Sequence, residues 1–284
     1  MPRFRAGLVL LSSMCRPVFL ISLWGLAFSA YAASPRVISL APHATELAYA
    51  AGLGSNLVAA SAYSDYPDQA KSLERVANYR GVKLERIIAL KPDLILAWRG
   101  GNPPKPLETL AKMGFEIRYL NPSQLSDIGQ FIRELGRYSK TPDIATRNAK
   151  AFDKKLAQLK ARYQDAQAVR YFYLLSDTPL MTASDRAWPS QLFTLCGGEN
   201  IFADSPAAYP QVNMEQVITR LPQTMFYTGT TLPEPWQSMT NLLPEQAQRF
   251  TWSLNPDWLT RATLRALNAA EQICTALDKV RHAQ

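Results

Sequence analysis

The stretch Leu94-Ile95-Leu96-Ala97 has no polar position, and this constrains the fold more than any other feature of the chain. A strand with one wet face alternates apolar and polar residues, whereas a strand apolar throughout is covered on both faces. Pro92 closes a short helical pattern, residues 84–90, just before this strand, and Trp98-Arg99-Gly100-Gly101 ends it. A helix, a proline and a fully apolar strand in that order predict a parallel sheet between two helical layers.

The pattern occurs twice. Leu84-Glu85-Arg86-Ile87-Ile88-Ala89-Leu90-Lys91-Pro92-Asp93 aligns with Met214-Glu215-Gln216-Val217-Ile218-Thr219-Arg220-Leu221-Pro222-Gln223, and the strands 94–97 and 225–227 fall in step. Upstream, 56–61 aligns with 200–205, and Pro67 with Pro210. Agreement in kind and order over this span predicts a duplicated lobe. The first copy also reads as strand 36–40, a helix 46–51 capped by Thr45, strand 57–60, helix 106–113 and strand 116–120. The second restarts with strand 169–175.

Between the copies, Thr141-Pro142-Asp143 is a helix start with a capping hydroxyl and a proline in the first turn. Ile144, Phe152, Leu156, Leu159 and Tyr163 then form a narrow apolar stripe at the helical period, without Gly or Pro, over roughly 35 Å. The expected fold class is α/β: two Rossmann-like lobes with parallel central sheets, joined by one long rigid helix, with a cleft between them. The expected boundaries are a first lobe over 33–140, the linking helix over 141–165 and a second lobe over 166–284.

Residues 1–32 read as an export signal. Arg3 and Arg5 precede an apolar run from Val18 to Ala30, and Ala30-Tyr31-Ala32 offers small residues for cleavage after Ala32. No other segment could cross a membrane. The signal carries Arg3, Arg5 and Arg16 and no acid, so cleavage lowers the formal charge of +8 by three. No basic run with interleaved aromatics remains, which argues against nucleic acid. Export leaves Cys196 and Cys274 as an even pair in an oxidising compartment, so a disulfide is expected.

In parallel α/β sheets ligands sit at the carboxyl ends of the strands. Those ends carry Pro42-His43, Tyr63-Ser64-Asp65-Tyr66, Trp98-Arg99, Ser176-Asp177, Trp188, Tyr209, Trp252 and Asn255-Pro256-Asp257-Trp258-Leu259-Thr260-Arg261. Tyr63, Tyr79 and Trp98 would face Trp188, Tyr209 and Trp258 across the cleft, giving broad rigid contact. Each aromatic alone could equally be core. Enzyme motifs are missing: His43 and His282 are the only histidines, no GxSxG elbow or phosphate loop occurs, and no His/Cys cluster suits zinc. His43 is either a loop hydrogen bonder or a single axial ligand to a metal macrocycle. Glu85 and Glu215 each open a short helix, where the dipole favours an acid. If the lobes are related by a pseudo-twofold, both could also meet a two-fold partner with matching arginines.

The order Thr45-Glu46-Leu47, Tyr63-Ser64-Asp65-Tyr66-Pro67, Leu84 through Leu94 as above, Ala97-Trp98-Arg99-Gly100-Gly101-Asn102, Cys196-Gly197-Gly198-Glu199-Asn200-Ile201-Phe202 and Pro210-Gln211-Val212 resembles the periplasmic cobalamin-binding members of the helix-linked (class III) substrate-binding proteins. The resemblance spans the whole mature chain. It implies a non-enzymatic, monomeric periplasmic protein, with no cofactor, that clamps cobalamin (vitamin B12) as a transported ligand and passes it to an inner-membrane ABC permease dimer with its ATPase subunits. It implies ligand contacts at Tyr63, Trp98 and the run Asp257, Trp258, Leu259, Thr260 and Arg261. Tyr79 and Tyr209 stand where the family has cleft tryptophans, and Met181 where it has a phenylalanine. Glu85 and Glu215 match its transporter-docking glutamates, and Cys196–Cys274 its disulfide. The competing expectations are a haem or ferric-siderophore binder of the same fold, for which His43 would matter, and a periplasmic hydrolase.

Overall fold

The computed structural model describes residues 1–2 and 34–283, so the expected export signal beyond its first two residues lies outside the described residues. In chain order the first part runs β1 (Val37–Ser39), α1 (Pro42–Ala50), β2 (Leu57–Ser61), β3 (Glu74–Asn78), β4 (Gly81–Val82), α2 (Leu84–Leu90), β5 (Leu94–Ala97), α3 (Pro104–Lys112), β6 (Ile117–Tyr119) and α4 (Leu125–Gly136). These strands form one sheet in the order β4-β3-β2-β1-β5-β6, parallel except for the β3–β4 pair.

All four residues of β5 are buried because each face of the sheet has its own core. Leu94 and Leu96 pack with Leu47 of α1 and Ile128 and Ile132 of α4. Ile95 and Ala97 pack with Ile87 of α2 and Leu107 and Leu110 of α3. Each such aliphatic side chain contributes roughly 1.5–3 kcal/mol by leaving water.

Helix α5 (Pro142–Tyr163) follows, and then β7 (Val169–Leu174), β8 (Ser176–Asp177), β9 (Leu180–Met181), α6 (Ser190–Leu195), β10 (Gly198–Asn200), α7 (Met214–Thr219), β11 (Thr224–Thr228), α8 (Glu234–Met239), α9 (Glu245–Arg249), β12 (Thr251–Leu254), α10 (Pro256–Thr260) and α11 (Ala266–Arg281). A second sheet, β10-β7-β11-β12, is parallel throughout, and β8–β9 is a small hairpin. Helix α5 is no isolated strut. Its Ala149, Phe152, Leu156 and Leu159 belong to one core that runs from α1 and α4 into Leu192, Phe193, Ile273 and Leu277 of α6 and α11. Gly136 lets α4 approach it, since a Cβ there would stand 2.4 Å from Ala145 Cβ. Cys196 and Cys274 form the expected disulfide, tying the end of α6 to α11.

The duplication extends to hydrogen bonds that sequence comparison did not reveal. The Arg36 side chain donates to the Leu90 carbonyl and the Arg36 N–H to Asp93 Oδ2, at 2.9 and 2.7 Å. Arg170 does the same in the second lobe, its side chain donating to the Arg220 carbonyl and its N–H to Gln223 Oε1. Lys91 and Leu221 both stop their helices in the left-handed region, each with φ 47°.

Several local expectations are corrected. Helix α1 begins at Pro42, whose ring preorganises a first turn, so Thr45 lies inside it and no side chain caps it. Thr141 occupies the cap position of α5, but its hydroxyl lies against Ser139 Oγ. The second-lobe counterpart of β2 is 198–200, because Ile201 and Phe202 turn into the core. After Thr260, the last residue of α10, a turn at 261–265 redirects the chain into α11. β3, β4, α4 and the β8–β9 hairpin had no counterpart in the sequence reading.

Candidate functional site

A cavity of about 460 Å³ opens between the lobes at the carboxyl ends of their strands. Pro42, His43, Tyr63, Trp98 and Pro122 line one side. Trp188, Tyr209, Asp257, Thr260, Arg261 and Ala262 line the other.

Trp98 stands at the end of β5, 40% exposed, because Asn102 closes the chain beneath it. The Trp98 N–H donates to Asn102 Oδ1 at 2.7 Å, and Asn102 Nδ2 donates to the Leu40 carbonyl at 2.9 Å. The two glycines are there to leave room for the indole: a Cβ on Gly101 would lie 2.1 Å from Trp98 Cε3. Arg99 turns away and stacks over Tyr119 at 3.9 Å, so it does not face the cavity.

Tyr63 leaves β2 with φ 62°, a left-handed conformation that costs free energy for any residue with a Cβ. That turn points Tyr63 outward, 71% exposed, and Ser64 inward. Ser64 Oγ lies 2.9 Å from Thr45 Oγ1, which also lies 2.9 Å from Ser39 Oγ, so hydroxyls pin the turn to α1 and β1.

His43 packs edge-on to Trp98, with ring centroids 5.5 Å apart. Its Nε2 lies 3.0 Å from the Leu120 carbonyl, an acceptor, so Nε2 carries the proton and Nδ1 is bare. Burial pushes its pKa below the usual imidazole range, and the Leu120 bond recovers only part of that, so the ring is neutral at pH 7.

Helix α10 explains which of its residues reach the cavity. Asn255 Oδ1 accepts from the N–H groups of Asp257 and Trp258, fixing the helix start. Asp257, Thr260 and Arg261, spaced i, i+3 and i+4, then share the cavity face. Trp258 falls on the far side, beside Trp252 and α11, and Leu259 is 0% exposed in the core. Tyr79 sits on the β3–β4 turn, 79% exposed, and does not line the cavity. Of the residues expected to bind ligand, the fold therefore brings together Tyr63, Trp98, Tyr209, Asp257, Thr260 and Arg261, but not Tyr79, Trp258 or Leu259. Met181 pairs with Ser176 and Gln211 outside the cavity lining.

The cavity floor is ionic. Arg261 Nη1 donates to Asp65 Oδ1 at 2.6 Å and to Glu46 Oε1 at 3.1 Å, while Nη2 pairs with Asp257 Oδ1 at 2.8 Å. Burial opposes the Arg261 charge, but the bonds to Asp65 and Glu46 outweigh it and raise the pKa. Glu46 also holds Arg265 through both oxygens. Sequence reading missed Glu46 and Arg265, because an acid early in one helix and a base before another carry no sign that they meet across 219 positions.

Glu85 and Glu215 are exposed on the first turns of α2 and α7, and among the described residues neither carboxylate has an ion-pair or hydrogen-bond partner. No group of acids, histidines and cysteines among the described residues could hold a metal ion, and no helix there is long and apolar enough to cross a membrane.

A periplasmic binding protein family model matches residues 37–246. A vitamin B12-binding protein of Vibrio parahaemolyticus is 49% identical over 87% of this chain and 90% of its own length. One from Pectobacterium carotovorum is 47% identical over 91% and 95%. The crystal structure of a periplasmic vitamin B12-binding protein of Vibrio cholerae superposes with a TM-score of 0.80 at 46% identity, covering 87% of this chain and 98% of that one. A periplasmic heme-binding protein of Vibrio cholerae superposes at 0.74 but with 21% identity over 86% and 99%, a likeness of fold alone. The chain therefore belongs to the periplasmic binding protein family, a family of binders rather than enzymes, and groups within it with the vitamin B12-binding proteins.

Proposed function

We propose that this protein captures cobalamin in the cleft between its lobes, in the periplasm, and delivers it to an inner-membrane ABC transporter. The observation that carries the ligand is the 49% identity, along 87% of the chain, to a vitamin B12-binding protein. The chemistry of the cleft supports it. Cobalamin is a large corrin with a rim of primary amides, and it needs broad apolar contact and a few hydrogen bonds rather than catalysis. Tyr63, Trp98, Trp188 and Tyr209 supply the contact, and Asp257, Thr260 and Arg261 the polar groups. The export signal over 1–32 is consistent with a periplasmic location.

Delivery is assigned to Glu85 and Glu215. They occupy equivalent places in two repeated lobes, and both are exposed acids suited to bidentate capture by arginines of a two-fold permease.

Calorimetric titration of the mature protein with cyanocobalamin, and separately with haemin, tests the ligand. One-to-one binding of the corrinoid without haemin binding is expected. Binding of haemin alone would overturn the reading and make His43 Nδ1 the residue to examine.

A further inference from the structure

The ionic floor of the cleft joins the lobes and has an odd charge count. Glu46 and Asp65 come from the first lobe, and Asp257, Arg261 and Arg265 from the second. Three carboxylates meet two guanidiniums, so the cluster carries one net negative charge. Both cations are neutralised inside it: the Arg261 and Arg265 side chains are 13% and 15% exposed, and Glu46, which both contact, is 4% exposed. Arg265 is further covered by the Tyr66 ring at 4.1 Å. The carboxylates of Asp65 and Asp257 are the exposed part, at 45% and 40%. Of these five groups Asp257 and Arg261 line the cavity, so a ligand meets an acceptor and an already neutralised guanidinium in a negative field rather than a free cation.

We propose that Glu46 is a specificity-determining residue that acts through Arg261 and Arg265: by occupying both guanidiniums it makes the cleft accept a rim of primary amides and reject the same rim bearing carboxylates. An amide donates N–H to Asp257, whereas a carboxylate meets the like charge of Asp257, with Asp65 behind it, and finds Arg261 already neutralised. With Glu46 neutral, the cluster loses its net negative charge, and a carboxylate on the ligand becomes tolerable. The inference rests on the cobalamin reading and extends it to the ligand's charge.

The test uses the mature wild type, Glu46→Gln and Asp65→Asn, with two probes at pH 7: cyanocobalamin, and its monocarboxylic acid in which one rim amide has been hydrolysed. The readout is the ratio of the two dissociation constants, which a general loosening of the fold would leave unchanged. The wild type is expected to prefer the amide by about tenfold or more, and Glu46→Gln to shrink that preference about tenfold, losing on the amide while gaining on the acid. Asp65→Asn should shrink it in the same direction, and its half-exposed site gives the readout even where Glu46→Gln does not fold. A wild type that binds cyanocobalamin, with a ratio unchanged within twofold in both variants, would overturn this inference alone. A wild type that binds neither probe would overturn the ligand reading and this inference with it.

Discussion

At the residue scale, the cleft is made by side chains whose positions are settled by neighbours a few residues away. Trp98 is held by Asn102 and by the space over Gly101, so the Ala-Trp-Arg-Gly-Gly-Asn motif is a local device, legible because it is contiguous. Asp65 is different: it belongs to a recognisable motif, but its partner Arg261 is 196 positions away. The hydrogen bond to Arg261 holds the Asp65 pKa below its ordinary 3.8. A depressed carboxylate contributes stability in full above its unfolded pKa, and loses it as pH falls through the folded one. Its half-exposed position keeps the contribution under about 1 kcal/mol. Melting temperatures of wild type and Asp65→Asn should thus differ by a constant small amount from pH 7 to about 5, and converge below 3.8. A gap that does not shrink at all as the pH falls below 3.8 would mean that Asp65 acts through something other than its charge.

At the element scale, α5 was legible as a long helix over its whole length, because an uninterrupted stripe without Gly or Pro has few other solutions. Its role was not. The stripe reads equally well as a strut in solvent, but Phe152 and Leu156 are 4% and 5% exposed in a core that continues into both lobes. Phe152→Ala should therefore cost roughly 3–5 kcal/mol. In calorimetry it should lower a single unfolding transition of the whole protein; two transitions, with only one displaced, would show that the lobes unfold independently. Helix α10 teaches the converse lesson. Five contiguous residues, Asp257, Trp258, Leu259, Thr260 and Arg261, look like one binding run, yet helical periodicity sends two of them elsewhere. Which face turns to the cavity depends on the packing of Leu259.

At the scale of the whole molecule, the lobes share one core through α5 and one ionic cluster at the cleft floor, which favours small relative movements over a wide hinge. A transporter would then recognise the surface that Glu85 and Glu215 present rather than a large closure. Replacing both by Ala should abolish capture by the permease in a liposome pull-down, while cyanocobalamin affinity stays within about twofold; undiminished capture would reject the assignment. The sequence by itself determined the α/β class, the duplication, the linking helix and the aromatics at strand ends. Each is written in periodicity or in short contiguous motifs, where neighbours in the chain are the neighbours that matter. Only the tertiary structure decided that Arg261 pairs with Asp65 and Glu46 beneath the cavity, that Arg99 turns away, and that Trp258 and Leu259 leave the cavity lining. Those outcomes depend on charges and surfaces brought together from distant parts of the chain, and no spacing in the sequence records that encounter.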